Sequence, residues 1–157
     1  MPPLYLTADI GGTQIRAALC DAAGHIYHRA QQLTLAQEGR DAVIGRIQAT
    51  LAAALADTPP SQVGGIGIVA PGPLDPVAGV IVFAPNLPGW NNVPLRHIIQ
   101  EHFGIPTLLG NDANLAALGE HRFGAGRGVH HLIYITVSTG IGGGIIIDDR
   151  MLVGARG

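Results

Sequence analysis

Two segments of the sequence share one pattern, an apolar strand that runs into glycines, and this near-repeat constrains the fold most. The first is LTADIGGT at residues 6–13, and the second is ITVSTGIGGG at residues 135–144. Glycines let backbone N–H groups approach an anion closely, because no Cβ stands in the way. One such turn is typical of ordinary hairpins. Two matched turns, with Asp9 at the end of the first strand, favour two hairpins that grip one polyphosphate.

The two hairpins provide hydroxyl groups as well as backbone donors. Because a carboxylate does not bind phosphate directly, we expect Asp9 to hold Mg²⁺ or a metal-bound water beside it. Asp9 is therefore predicted to act on the phosphates through the metal. The residues predicted to bind them directly are Gly11, Gly12, Thr13, Ser138, Thr139, Gly140, Gly142, Gly143 and Gly144.

Composition excludes several classes of protein. All nine cationic residues are arginines, which excludes a Walker A loop, a Schiff-base lysine and a kinase of the protein-kinase type. A net charge of −2 argues against a nucleic-acid or anionic-membrane partner. The single cysteine, Cys20, excludes an internal disulfide framework and a cysteine-cluster zinc site. Without a signal peptide or a membrane-spanning apolar run, a cytoplasmic location is expected.

Hydrophobic periodicity predicts an α/β chain. Helices are predicted at about 38–56, 94–103 and 112–122, and a glycine loop at 138–144. Strands are predicted at 4–10, 14–20, 25–34, 63–70, 80–84, 105–110, 131–137 and 145–148. The glycines at 124–128 indicate a hinge, so the predicted organisation is a lobe at 1–123, a linker at 124–130 and the incomplete start of a second lobe at 131–157. A single apolar hairpin cannot bury both of its faces, so this chain is either a fragment or packs on a partner.

Two polar segments are candidates for substrate binding. In GNDAN at residues 110–114, Asp112 is placed to accept a proton from a hydroxyl that attacks phosphorus. Plain helix capping explains the same residues, and both hold if Asn111 caps while Asp112 faces a cleft. The three asparagines around Trp90, at 86–92, suit a sugar, and a turn pinned by a semi-buried tryptophan is equally favoured.

Together these motifs resemble the ROK (repressor, open reading frame, kinase) family, and within it the bacterial glucokinase-like sugar kinases. The matching segments run in order along the chain: DIGGT at 9–13, APGPLD at 70–75, NLPGW at 86–90, FGIP at 103–106, NDAN at 111–114, ALGE at 117–120, STGIGGG at 138–144 and GARG at 154–157.

The resemblance implies the actin-like ATPase (ribonuclease H-like) fold, here one α/β lobe with a mixed sheet plus the first hairpin of a second lobe. It implies Mg²⁺-dependent transfer of the ATP γ-phosphoryl group to a hexose, with glucose favoured over fructose and N-acetylhexosamines. Asp112 would be the general base, and Gly72, Asn86 and Asn111 would hold the sugar. The loops at 9–13 and 139–144 would hold the ATP phosphates. A homodimer is compatible with the family.

The chain also departs from the family pattern. Members of the family continue with a Gly-Glu-Ile-Gly-His segment, a cysteine-rich zinc motif and an adenosine pocket. None of these is present in this sequence, so any zinc is expected to belong to the absent half. We therefore expect an N-terminal half with little or no kinase activity by itself. The alternative is the sugar-sensing part of a ROK transcriptional repressor. Those carry a helix-turn-helix ahead of the first strand, for which a strand starting at Leu4 leaves no room.

Overall fold

The structure is a computed structural model that describes residues 3–137 and 140–154. Its internal contacts form two compact units, Met1–Gly110 and Asn111–Gly157. The helices and strands are, in chain order, β1 (Leu4–Ile10), β2 (Gln14–Asp21), β3 (Ile26–Leu33), α1 (Arg40–Leu55), β4 (Val63–Ala70), β5 (Leu74–Asp75), β6 (Val80–Phe83), β7 (Asn91–Val93), α2 (Leu95–Phe103), β8 (Thr107–Asn111), α3 (Asp112–Phe123), β9 (Leu132–Val137), β10 (Ile141–Ile147) and β11 (Arg150–Met151). None of the described helices has the length and apolar character needed to cross a membrane.

The first unit is built on a mixed five-stranded sheet with the order β3-β2-β1-β4-β8. Strands β1 and β2 are antiparallel, whereas β1 and β4 are parallel. Every second residue of β1 is buried, and α1 presents a stripe at helical spacing (Val43, Ile47 and Leu51), so the two form one core. The same alternation places Asp9 on the opposite face of the sheet.

A smaller antiparallel sheet, β5-β6-β7, belongs to the same unit. Strand β7 lies at the end of the segment that the sequence suggested as a loop at 85–92. It forms because Val93 is buried and pairs with Ile81 of β6. Helix α2 ends at Phe103, and Gly104, with a φ of 66°, forms its left-handed C-cap.

In the second unit, α3 packs against β9 and β10. The contacts divide the chain before α3, whereas the sequence places the linker at 124–130. Because α3 covers the inner face of the β9–β10 hairpin, its contacts group it with that hairpin. The assignment of 1–123 to one lobe of the whole protein stays a prediction.

The turn between β10 and β11 is tied to the segment before β9. Asp148 and Asp149 adopt left-handed φ values of 50° and 64°, and His130 Nδ1 lies 2.7 Å from Asp149 Oδ2. This hydrogen bond, with the attraction between the charges, raises the pKa of His130 and lowers the pKa of Asp149. The two groups therefore stabilise each other in their charged forms.

Candidate functional site

The turn between β1 and β2 is held by hydrogen bonds on both sides. The Gly11 N–H donates to the Gln14 carbonyl at 2.9 Å. From the end of β3, the Thr34 hydroxyl donates to the Gly11 carbonyl at 2.6 Å, and the Thr34 N–H donates to the Thr13 carbonyl at 2.9 Å. Sequence reasoning identified Thr34 only as the end of a strand, since nothing in the local pattern points to partners more than twenty residues earlier.

The hydrogen bonds of this turn distinguish its three predicted backbone donors. The Gly11 N–H is engaged within the turn. The N–H groups of Gly12 and Thr13 donate to none of the residues that the structure describes. Unengaged N–H groups in a tight turn are the ordinary ligands of phosphate oxygens in proteins. The geometry thus favours Gly12 and Thr13 over Gly11 as direct donors.

Asp9 lies two residues before this turn, on the sheet face that α1 does not cover. Its carboxylate is half exposed, and Arg16 Nη1 lies 3.7 Å from Asp9 Oδ2. Within residues 3–137 and 140–154, no three His, Cys, Asp or Glu side chains form a cluster able to hold a metal. An exposed single carboxylate fits Mg²⁺, which is usually bound by one or two carboxylates together with waters and substrate phosphates.

Asn86 lies directly beside the turn. A Cβ added to Gly12 would lie 3.0 Å from Asn86 Cβ and 3.5 Å from the Asn86 carbonyl oxygen. A predicted phosphate donor and a predicted sugar ligand are therefore in contact within one unit. The absence of a side chain at residue 12 makes this approach possible.

The loop that carries Asn86 is anchored by the buried side chain and the backbone hydrogen bonds of Trp90. Trp90 is only 1% exposed. Its backbone N–H donates to the Leu87 carbonyl at 3.1 Å, and its backbone carbonyl accepts from the Ala84 N–H at 3.2 Å. A buried indole has no face on which a sugar can stack. Of the two interpretations that the sequence left open, the structure supports the turn pinned by tryptophan, and Asn86 is exposed above it.

Gly72 lies in the turn between β4 and β5. A Cβ at this residue would lie 2.9 Å from the Leu74 backbone nitrogen, so the turn requires glycine. Its contact with a sugar stays a prediction.

The second unit carries the predicted base at the start of α3. Asn111 caps the helix, because its Oδ1 accepts from Ala113 N–H at 3.0 Å and Asn114 N–H at 3.3 Å. The predicted cap is confirmed. Asp112, the first helical residue, is exposed, and its Oδ1 accepts from the Ala113 N–H at 2.8 Å. Capping by Asn111 thus leaves the Asp112 carboxylate accessible.

Gly142, Gly143 and Gly144 lie within strand β10, so the prediction of a loop through residue 144 is wrong from Ile141 onward. A Cβ at Gly142 would lie 3.0 Å from Ala113 Cβ, and a Cβ at Gly144 would lie 2.5 Å from Ala117 Cβ. These two glycines let α3 pack closely on the strand, which explains them without a ligand. Phosphate binding by this hairpin stays a prediction. Gly140 precedes the strand, and Ser138 and Thr139 lie outside the described residues.

Comparison with known proteins gives the family. The sequence profile of the ROK family matches residues 5–157. A glucokinase from Thermotoga maritima is 39% identical over 158 residues, which cover 100% of this chain and 49% of that protein. A putative xylose repressor from Caldicellulosiruptor is 35% identical over 98% of this chain and 39% of its own length.

The chain belongs to the ROK family. Its fold also matches a ROK family glucokinase from Streptomyces griseus, solved in complex with glucose and AMPPNP, with a TM-score of 0.86 and 38% identity over 96% of this chain and 46% of that one. The fold is accordingly the actin-like ATPase fold of the ROK sugar kinases, as the resemblance to the family implied. The chain spans about half the length of these relatives.

Proposed function

We propose that this chain is part of an ATP-dependent hexose kinase, with glucose the favoured substrate. The observation that carries the proposal is the contact between Gly12 and Asn86. It joins a turn with two N–H groups that donate to none of the described residues to an exposed amide suited to a sugar hydroxyl, as transfer of a phosphoryl group to a sugar requires. Similarity to glucokinases supports the same assignment.

Each residue has a defined role in the proposed reaction. The N–H groups of Gly12 and Thr13 hold phosphate oxygens of ATP and stabilise the charge that develops there. Asp112 accepts the proton of a hexose hydroxyl while the oxygen of that hydroxyl bonds to the γ-phosphorus of ATP. The bond from that phosphorus to the bridging oxygen of ADP breaks, and ADP leaves. The bound Mg²⁺, held beside Asp9, would neutralise phosphate charge.

Three groups are proposed to hold the hexose: Asn86, Asn111 and the turn at Gly72. The Oδ1 of Asn111 is engaged in the helix cap. Its side-chain NH₂ is the group available to donate to a sugar oxygen. Asn111 is thereby expected to serve the cap and the substrate at once.

We also propose that the 157-residue chain alone has little or no kinase activity, because phosphoryl transfer depends on positioning and this chain spans 49% of the glucokinase relative. A cytoplasmic location and a homodimer remain part of the proposal.

The test is ADP release by the longest natural open reading frame that contains this sequence. It is assayed with ATP, Mg²⁺ and, in turn, glucose, fructose, N-acetylglucosamine and N-acetylmannosamine, beside the 157-residue chain. We expect release from the longer protein, highest with glucose, and little from the chain alone. Substantial glucose-dependent release from the chain alone would contradict the activity proposal. No release by the longer protein with any sugar would contradict the kinase.

A second candidate is the sugar-sensing part of a ROK repressor, favoured by the 35% identity to the putative xylose repressor. The two candidates differ in turnover. A sensor would bind sugar without sugar-dependent ADP release, and a DNA-binding module in the longer reading frame would support it.

A further inference from the structure

Thr34 is fully buried, and each of its polar groups is hydrogen-bonded. Its hydroxyl and its N–H donate to the Gly11 and Thr13 carbonyls, one on each side of Gly12. Its own carbonyl accepts from Arg46 Nη1 at 3.3 Å. One residue at the end of β3 thus connects both sides of the β1–β2 turn to helix α1.

The residues behind Thr34 are themselves held in place. Arg46 forms an ion pair with Glu38, and the Arg46 carbonyl accepts from Gln32 Nε2 at 2.9 Å. Leu35 adopts the left-handed conformation, with φ 48° and ψ 54°, which L side chains rarely adopt. Such a conformation persists only where the surrounding structure fixes it. Thr34 is therefore fixed by its own hydrogen bonds, by the conformation of Leu35, and by Arg46 of α1, which Gln32 holds in place.

We propose that Thr34 is a positioning residue for ATP, which clamps the β1–β2 turn in the conformation that presents the Gly12 and Thr13 N–H groups to phosphate. The inference rests on the proposed function. Without the hydroxyl, the Gly11 carbonyl loses this donor, and the peptide that joins Gly11 to Gly12 loses the bond that fixes its orientation. The Gly12 N–H belongs to that peptide, and the Thr13 N–H follows it in the next peptide of the turn. Thr34 itself is fully buried, so a hexose would not reach it.

The test compares Thr34→Val, Thr34→Ser and Thr107→Val in the longest natural open reading frame. Valine keeps the shape of threonine but removes the hydroxyl donor, and serine keeps the donor. Thr107 is the matched control, because it is 3% exposed and its hydroxyl donates to the Ile105 carbonyl at 3.0 Å, on a different strand.

The loss of one hydrogen bond predicts a roughly 2- to 13-fold increase in KM for ATP in Thr34→Val. The KM for hexose is expected to change less than about twofold, and Thr34→Ser is expected to restore the KM for ATP. Thr107→Val is expected to leave both KM values unchanged. A Thr34→Val variant whose KM for ATP matches that of Thr107→Val overturns the inference, as does an equal rise in both KM values.

A second readout separates this inference from the proposed function. Inorganic tripolyphosphate is titrated against each protein while the amide signals of Gly12 and Thr13 are followed by NMR. We expect binding that weakens in Thr34→Val and recovers in Thr34→Ser, even if no sugar is phosphorylated. A protein that shows neither turnover nor this binding overturns both proposals, whereas turnover with a normal Thr34→Val variant overturns only the clamp.

Discussion

Replacing Gly144 by alanine is expected to push helix α3 away from strand β10. The new methyl group would lie 2.5 Å from Ala117 Cβ and 3.2 Å from the Ala113 carbonyl oxygen. Carbon atoms pack at about 3.5–4.0 Å, and Ala117 Cβ is bonded directly to the helix backbone, so it cannot rotate away. The helix must therefore move by about 1 Å.

The size of the effect follows from this displacement. Overpacking of this kind costs about 1–3 kcal/mol of the free energy of unfolding. Asp112, the proposed base, is the first residue of the same helix. Its displacement by about 1 Å would lower kcat in the longer protein by roughly 100-fold. Stability and turnover are thus expected to fall together.

Urea unfolding followed by circular dichroism, with hydrogen exchange of α3 peptides, measures the stability effect. Gly119→Ala is the matched control on the same helix, because among the described residues only the backbone of α3 itself lies near its added Cβ. It is expected to stabilise α3 by up to about 1 kcal/mol. Ala117→Gly removes the methyl group that opposes the new one at residue 144. It should therefore lower the free energy of unfolding less in the Gly144→Ala variant than in the wild type. A Gly144→Ala variant as stable as the wild type, or strictly additive costs, would refute the reasoning.

Two further perturbations follow from the contacts. Gly12→Ala should displace Asn86 and raise the KM for hexose as well as the KM for ATP. Gly11→Ala should raise only the KM for ATP, because its added Cβ has no contact with Asn86. A hexose KM that is the same in the two variants would argue against a role for the Gly12–Asn86 contact. Asp149→Asn should remove a stabilisation that is full from about pH 3.8 to 6.5, since Asp149 has a lowered pKa and His130 a raised one relative to those values. The contribution of Asp149 is lost as pH falls below that window, and the contribution of His130 is lost as pH rises above it. An unfolding free-energy difference that stays constant with pH would contradict the ion pair.

Much of the fold was predictable because it depends on local periodicity. The apolar stripe of α1 and the alternation along β1 and β2 each identify an element and its buried face. Asn111 was predictable as a cap, since its acceptor serves N–H groups two and three residues later. The first glycine turn was placed correctly for the same reason, because the turn is closed by residues that adjoin it in sequence.

The remaining features depend on partners distant in sequence. A glycine in β10 is equally consistent with a phosphate turn and with close helix packing, and only the position of Ala117, 27 residues before Gly144, distinguishes them. The hydroxyl of Thr34 is meaningful only once Gly11 is seen beside it. Trp90 was ambiguous because burial, and not residue type, determines whether an indole supports a loop or stacks on a sugar.

Turnover by the Asp112→Asn variant of the longest natural open reading frame tests the kinase assignment most directly. Asp41→Asn is the control, because Asp41 is an exposed carboxylate in the first turn of α1. We predict that glucose-dependent ADP release falls by about 10²- to 10⁴-fold in Asp112→Asn, with glucose binding by calorimetry retained and Asp41→Asn unaffected. ADP release that is unchanged in Asp112→Asn would contradict the account.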